Sequence, residues 1–518
     1  MDAVAAVSGT SLSFGRAAGL LAAAFLAFFL TAKQLLIYRL GVLVHRAYFN
    51  GLSKFPGPKL NAITYLPFLW QSKVTGTFTK HTLELHRKYG PIVRISPNTL
   101  SMDGSLAWPL IFSRRPHQSE FTKFPPHYGP EDSSGIFTAS REQHRLQRRI
   151  MRHAFSESAL REQWPLIKTY VDILMQRFKE HADAGKPIDV CQWFNYLTFD
   201  VIGDLAFADP FNSLTNGTYD PWVAMIFKSI KSFAQLHFLL HYRILRPLIW
   251  FFMDKENFRL AAEQKVLSVN KAEKRIAMGV NESRKDFMTY ILRHNDDGKN
   301  GMSHHDLLKN AEAFIVAGSE TTATALSGFC FLIGQNRQAY DRLVAEIRGA
   351  FASEDEMNMI TTNALPYLHA CLEETLRLYP PAAEVPPRIS PGDYINDDIY
   401  IPKGAKVSVY QWATHRSERN FVDPETFAPQ RFLPASHPLY EQKYARDNKA
   451  AFRPFAAGPR DCIGKNLAYA EMRVVVARML WSYDMELLPG QSEWLSSQRS
   501  FLVFDKGQLN VKLTPVVR

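Results

Sequence analysis

The sequence predicts a mainly helical protein with small β-sheets, an α+β chain built as one large domain behind a single apolar N-terminal helix. Three observations carry this. Helix-period segments dominate, at roughly 77–89, 140–154, 158–183, 190–206, 222–240, 253–279, 303–335, 337–350 and 364–378. Strand-like runs are short and scattered, at 91–96, 98–102, 385–389, 399–401, 406–410, 484–488 and 501–513. Helix and strand seldom alternate, which argues against a doubly wound parallel sheet. The 518 residues are 46% hydrophobic and include 36 Phe, enough for a sizeable core.

The N-terminal helix comes first. Ala17 to Ala32 carries no charge, and Leu35 to Tyr38 follows Lys33-Gln34. About 20 apolar residues cross a bilayer. Residues 17–38 suffice if Lys33 snorkels to the interface. No small-residue cleavage site follows, which disfavours a removed signal peptide; a helix lying on the membrane surface is the alternative. Lys33, Arg39, His45 and Arg46 follow the span and Arg16 alone precedes it, so the positive-inside bias places the body in the cytosol. Phe55-Pro56-Gly57-Pro58 then stiffens the exit. The expected divisions are an anchor and flank at 1–50, a proline-rich hinge at 51–60 and the body at 61–518.

Composition removes several function classes. The net charge is +11, but Lys and Arg are spread along the chain and no nucleic-acid recognition motif is present. An anionic membrane surface or an acidic protein partner suits the surplus better. Four scattered cysteines, Cys191, Cys330, Cys371 and Cys462, make neither a disulfide framework nor a C-x-x-C zinc ribbon.

Three segments carry chemistry. The stretch 452–471 is a Pro- and Gly-rich loop holding Cys462 just before a helical sequence. A thiolate there would meet outward-pointing helix N–H groups, which lower a thiol's pKa. Gly458 and Gly464 allow tight turns or a close approach to a flat ligand, and Arg460 can meet an anionic group on it. A structural cysteine in a turn is the plainer alternative. In the middle of the long helix lies Ala317-Gly318-Ser319-Glu320-Thr321-Thr322. A carboxylate in so apolar a helix needs a partner or a proton task, and Gly318 leaves room for a ligand at the backbone. Glu374 and Arg377 share a helix face at i and i+3. Their flanks Leu372, Leu376, Leu378 and Tyr379 favour a buried brace over a solvated pair.

Together these resemble the cytochrome P450 family, the haem-thiolate monooxygenases. The pattern F-x-x-G-x-R-x-C-x-G is met at Phe455, Gly458, Arg460, Cys462 and Gly464. A-G-x-[DE]-T-T is met at 317–322 and E-x-x-R at Glu374 and Arg377. Arg431 matches the family's P-x-R-F arginine. Arg148 fits its W-x-x-x-R, although His144 stands where the family has Trp. The resemblance implies haem b with Cys462 as axial thiolate, and Arg148, Arg388, Arg460 and His144 near its propionates. Phe455, Gly458 and Gly464 would shape the loop. Thr321 and Glu320 would serve O2 and its protons. Glu374, Arg377 and Arg431 would form a structural brace. Phe314, Ala317, Phe121, Phe124 and Val385 would line a pocket for a lipophilic substrate.

The same resemblance implies electrons from NADPH through a flavoprotein reductase and a single-pass endoplasmic reticulum protein with a cytosolic catalytic domain. The wording of 88–95 and 153–156 is similar to filamentous-fungal members, many of which tailor terpenoids or polyketides. A reductase-independent haem-thiolate isomerase or dehydratase, and a non-catalytic haem protein, remain alternatives.

Overall fold

The computed structural model describes residues 5–114, 119–124, 134–220, 231–232, 234–248, 255–295, 301–396 and 398–517. The apolar N-terminus is one helix, α1 (Ala5–Val44), longer than the expected span because no proline interrupts it. An 18-residue window within Gly19–Phe49 has a mean hydropathy of 2.0 and none of it is buried. Leu20, Phe25, Phe28 and Leu36 all face outward. Water penalises such a surface and a bilayer accepts it.

The body is built from α2 (Phe78–Tyr89), α3 (Arg141–Met151), α4 (Glu157–Asp183), α5 (Val190–Phe207), α6 (Lys255–Ala277), α7 (Phe287–Arg293), α8 (His304–Gly334), α9 (Arg337–Ala350), α10 (Pro366–Leu378) and α11 (Lys465–Ser482). The expected helix at 222–240 falls largely outside the described residues; 234–241 is helical. The long helix α8 starts at a capping box. Ser303 Oγ accepts from the Asp306 N–H, and the Asp306 carboxylate accepts from the Ser303 N–H. Helix α8 packs on α5, α10 and α11. Gly318 is set by this packing and not by a ligand, which corrects the sequence reading: a Cβ there would lie 2.6 Å from Ile202 Cδ1 of α5.

A five-stranded sheet flanks the helices in the order β1 (Ile92–Ser96), β2 (Thr99–Met102), β8 (Lys406–Tyr410), β5 (Glu384–Ile389), β3 (Thr122–Lys123). Only β2 and β8 run parallel. Its underside buries a smaller core of Trp108, Phe112, Phe121, Val385, Val407 and Val409. A three-stranded sheet joins β4 (Ile188–Asp189), β12 (Asn510–Pro515) and β9 (Tyr483–Leu487). Hairpins β6 (Asp393–Tyr394)/β7 (Tyr400–Ile401) and β10 (Arg499–Ser500)/β11 (Phe504–Asp505) complete the body. The expected run 501–513 is therefore two elements: the chain reverses at Leu502, whose φ of 124° breaks an extended strand.

One buried charge network ties α10 to the chain ahead of the cysteine loop. Arg377 donates twice to Glu374, Nε at 2.7 Å and Nη2 at 2.8 Å. Arg431 Nε reaches Glu374 at 3.1 Å, and its Nη1 reaches Asp447 at 2.6 Å. Arg377 also donates to the carbonyls of His415, Pro424 and Thr426. None of the four side chains exceeds 1% exposure. The expected trio is a quartet: Asp447, absent from the sequence reading, makes the set electrically neutral. Burying charges costs several kcal/mol each, recovered only when every group is paired. Asp447→Ala removes one partner and is expected to destabilise the folded protein by about 3–5 kcal/mol. Denaturant unfolding of the purified variant checks this, and an unchanged midpoint contradicts it.

Candidate functional site

The cysteine loop is shaped by close backbone contacts. Ala456 and Gly458 both have positive φ, 60° and 80°. A Cβ on Gly458 would sit 2.0 Å from the Phe112 carbonyl oxygen, so only glycine fits. Gly464 differs from expectation: its φ is −85°, an ordinary value, and a Cβ there would approach the Cys462 sulfur to 4.0 Å. The Cys462 N–H donates to the Phe455 carbonyl at 3.0 Å, and the Phe455 ring packs 5.0 Å from Tyr469 of α11. Arg148 holds the loop directly. Its Nη1 donates to the Asp461 carbonyl at 2.5 Å and its Nη2 to the Asp461 carboxylate at 2.6 Å. That contact engages the guanidinium expected to meet a propionate.

Cys462 is accessible, whereas Cys191, Cys330 and Cys371 are buried in the core. Protein nevertheless surrounds its thiol on nearly all sides. Burial pushes the thiol's pKa up, against the pull of the Gly464 N–H and Arg148. The sequence reading expected a lowered pKa from the helix N-terminus; desolvation outweighs those dipoles. A coordinated cation would deprotonate this thiol outright.

Helix α8 presents a second accessible surface. Ala313, Val316, Ala317 and Thr321 keep exposure while the neighbouring positions 314, 315, 319 and 320 are buried. The spacing i, i+3, i+4, i+8 is one helical stripe. The Thr321 hydroxyl donates to the Ala317 carbonyl at 2.7 Å, leaving its lone pairs open on that stripe. Val316, 45% exposed, was not singled out from the sequence; it lies at i+3 from Ala313 on this stripe.

Several expected residues lie elsewhere. Phe314 turns off the stripe and packs on Phe155 and Phe287. Phe121 and Val385 are filled into the small core below the sheet, so neither is a free pocket wall. Phe124 is half-buried beneath the Lys406 ammonium, 3.9 Å from its ring centroid; residues 125–128 of its loop lie outside the described residues. Glu320 is buried and in contact with Lys506.

A group of cations converges from three elements. His144 of α3 is held neutral, its pKa pushed down to about 3 by burial and by Arg460, Lys123, Arg148 and Arg388 around it. Lys123 is pushed down to about 6 by burial and by Arg460 and Arg388. It sits opposite Arg388 in the β3–β5 ladder and donates to the Ile136 and Phe137 carbonyls at 3.2 and 2.5 Å. Arg388 lies 5.1 Å from the Phe112 ring, and Arg460 donates to the Ala139 carbonyl at 3.2 Å. Lys123 was missed because its place depends on strand pairing across distant segments, which no local pattern reveals.

Among the described residues, Glu120, 3.9 Å from Arg460, and Asp461, beside Arg148, are acids paired with this group. A gathering of basic side chains of this kind fits a ligand bearing two carboxylates. Among the described residues no cluster of three or more His, Cys, Asp or Glu can hold a bare metal ion. One accessible thiol therefore suits a metal that brings its other ligands with it, and the residues present fit a haem.

Comparison with known proteins agrees. The family description Cytochrome P450 matches residues 56–513. The chain is 41% identical over 479 residues to cytochrome P450 monooxygenase astJ of Aspergillus oryzae, covering 91% of this chain and 94% of that one. It is 37% identical over 530 residues to cytochrome P450 monooxygenase atr2 of Stereocaulon alpinum, covering 100% and 99%. Averantin hydroxylase of Dothistroma septosporum is 36% identical over 489 residues, covering 93% and 90%. With the match running from the proline-rich hinge into the last strand, the chain belongs to the cytochrome P450 family.

Proposed function

We propose that this haem-thiolate monooxygenase inserts one oxygen atom from O2 into a lipophilic terpenoid or polyketide of fungal secondary metabolism, with Cys462 as the axial ligand. The observation that carries the reading is the accessible thiol enclosed within the body. Arg388, Arg460, Lys123 and His144 receive the two propionates, while Arg148 clamps the loop at Asp461. When bound, the haem supplies the activation of O2, and its thiolate ligand favours O–O cleavage. The chain supplies orientation, water exclusion and protons. Ala317 and Val316 give the substrate an apolar wall, and the Thr321 hydroxyl orients water or dioxygen above it. Glu320, one residue away, exchanges protons with solvent.

Electrons come from NADPH through a flavoprotein reductase that docks on the basic body. Residues 1–50 anchor the protein in the endoplasmic reticulum membrane and 51–60 act as the hinge, leaving the body 61–518 in the cytosol. The outward-facing apolar residues of α1 support this placement. The acid–alcohol pair at 320–321 favours oxygenation over a reductase-independent isomerisation.

Metabolite comparison between a knockout and its parent identifies the substrate. With that substrate, reductase, NADPH and ¹⁸O2, one ¹⁸O is expected in the product. Thr321→Ala is expected to lower product formation by about 10²-fold, the low end for a lost proton-transfer group, with electrons diverted to hydrogen peroxide. Product labelled from water, or turnover without reductase, contradicts the reading. A bound propionate would restore the charge that burial and the neighbouring arginines take from Lys123, so Lys123→Met removes a charge-assisted hydrogen bond worth about 1.5–3 kcal/mol. Haem loss to apomyoglobin is therefore expected to be about 10- to 100-fold faster, and an unchanged rate removes Lys123 from the propionate site.

A further inference from the structure

We propose that Tyr469 is a positioning residue for the Cys462 ligand: tethered by its hydroxyl to Glu373, its ring fixes Phe455, and Phe455 in turn fixes the backbone of Cys462, so that the tether sets how strongly the sulfur donates to a bound iron. The inference rests on the reading of Cys462 as the axial ligand. The contacts themselves stand on geometry.

Tyr469 lies in the second turn of α11, just beyond the cysteine loop. Helical side chains lean toward the N-terminus, so its ring reaches back over that loop. It meets the half-buried Phe455 ring at 5.0 Å between centroids, with the two planes 52° apart. The Cys462 N–H donates to the Phe455 carbonyl at 3.0 Å. The side chain and the backbone of Phe455 thus join Tyr469 to the cysteine.

A ring held by packing alone can slide on its neighbour. Tyr469 is 8% exposed, and its hydroxyl donates to the Glu373 carboxylate of α10. A buried phenol needs such a partner, and a ring held at both ends keeps one position. Burial and the Glu373 charge push the phenol's pKa up, so Tyr469 keeps its proton and the carboxylate accepts it. The anchor at the far end is firm. Glu373 precedes Glu374, whose bonds to Arg377 and Arg431 hold this part of α10. His369 of α10 and Arg473 of α11 complete the surroundings, 5.4 Å and 6.0 Å from the Tyr469 ring.

Hydrogen bonds to a ligating sulfur, and solvent around it, decide how much charge it gives the metal. The Gly464 N–H already acts on the Cys462 sulfur. A loop loosened at Phe455 changes the aim of that donor and admits water as a further one. Each added donor draws density from the sulfur, weakens the iron–sulfur bond and favours the reduced iron.

The test uses full-length, haem-loaded protein as wild type, Y469F, Y469L and E373Q. Spectroelectrochemical titration reads the midpoint potential of the haem iron, resonance Raman scattering reads the iron–sulfur stretch, and thermal unfolding reads stability. In Y469L the potential is expected to rise and the stretch to fall in frequency. Its reduced, CO-bound form is expected to lose the thiolate Soret band several-fold faster than wild type. Y469F keeps the ring without the tether and is expected to move all three in the same direction by less. E373Q keeps an acceptor for the phenol and is expected to stay near wild type. A lower unfolding temperature in Y469L with potential and stretch unmoved overturns the proposal, because Tyr469 then only packs. Should Y469L fail to retain haem, Y469F carries the same readouts, and wild-type values in it overturn the proposal. A C462A protein that keeps the thiolate Soret band refutes the axial-ligand reading instead.

Discussion

Cys462 must stay accessible inside a packed body, and most of the site's architecture serves that requirement. A free thiol buried in apolar surroundings packs like any small hydrophobe, as Cys191, Cys330 and Cys371 do. Cys462 is kept open because its loop is held from several directions. Gly458 presses on the Phe112 carbonyl, Arg148 grips Asp461, and Phe455 leans on Tyr469. Releasing any of these lets the loop collapse onto the sulfur, since an unfilled cavity forfeits dispersion contacts along its lining.

Two charge arrangements frame that loop, and they differ in kind. Glu374, Arg377, Arg431 and Asp447 pair two positive with two negative groups and satisfy one another completely. Nothing further can bind there, so the quartet fixes geometry. With burial, Arg460 and Arg388 depress both His144 and Lys123, and Lys123 and Arg148 add to the effect on His144. Such a group is costly until an anion arrives. The same chemistry, balanced or left in surplus, separates a structural brace from a ligand site.

Much of this was legible in the linear sequence, and what was not has a physical reason. Helix positions in the body, the apolar N-terminal helix and the loop around Cys462 follow from local periodicity and turn chemistry, and the described helix ends of the body fall within a few residues of expectation. Partners that meet across the fold were hidden. Asp447 completes the quartet and Lys123 joins Arg388 only because distant segments pack together. The roles of glycines also needed packing: Gly318 makes room for Ile202, and Gly464 needs no special backbone. Phe314, Phe121 and Val385 show the limit of reading a pocket from apolar residues, because a core and a pocket use the same side chains and only accessible surface separates them. Desolvation at Cys462 is likewise a property of the assembled fold.

The most direct test is the absorption spectrum of the reduced, CO-bound protein. Wild type is expected to show the red-shifted Soret band of a thiolate-ligated haem, and Cys462→Ala to lose it, with Arg460 and the other cations still in place. A Cys462→Ala protein that binds haem and gives the same CO spectrum would contradict the assignment of Cys462 as the axial ligand and the account built on it.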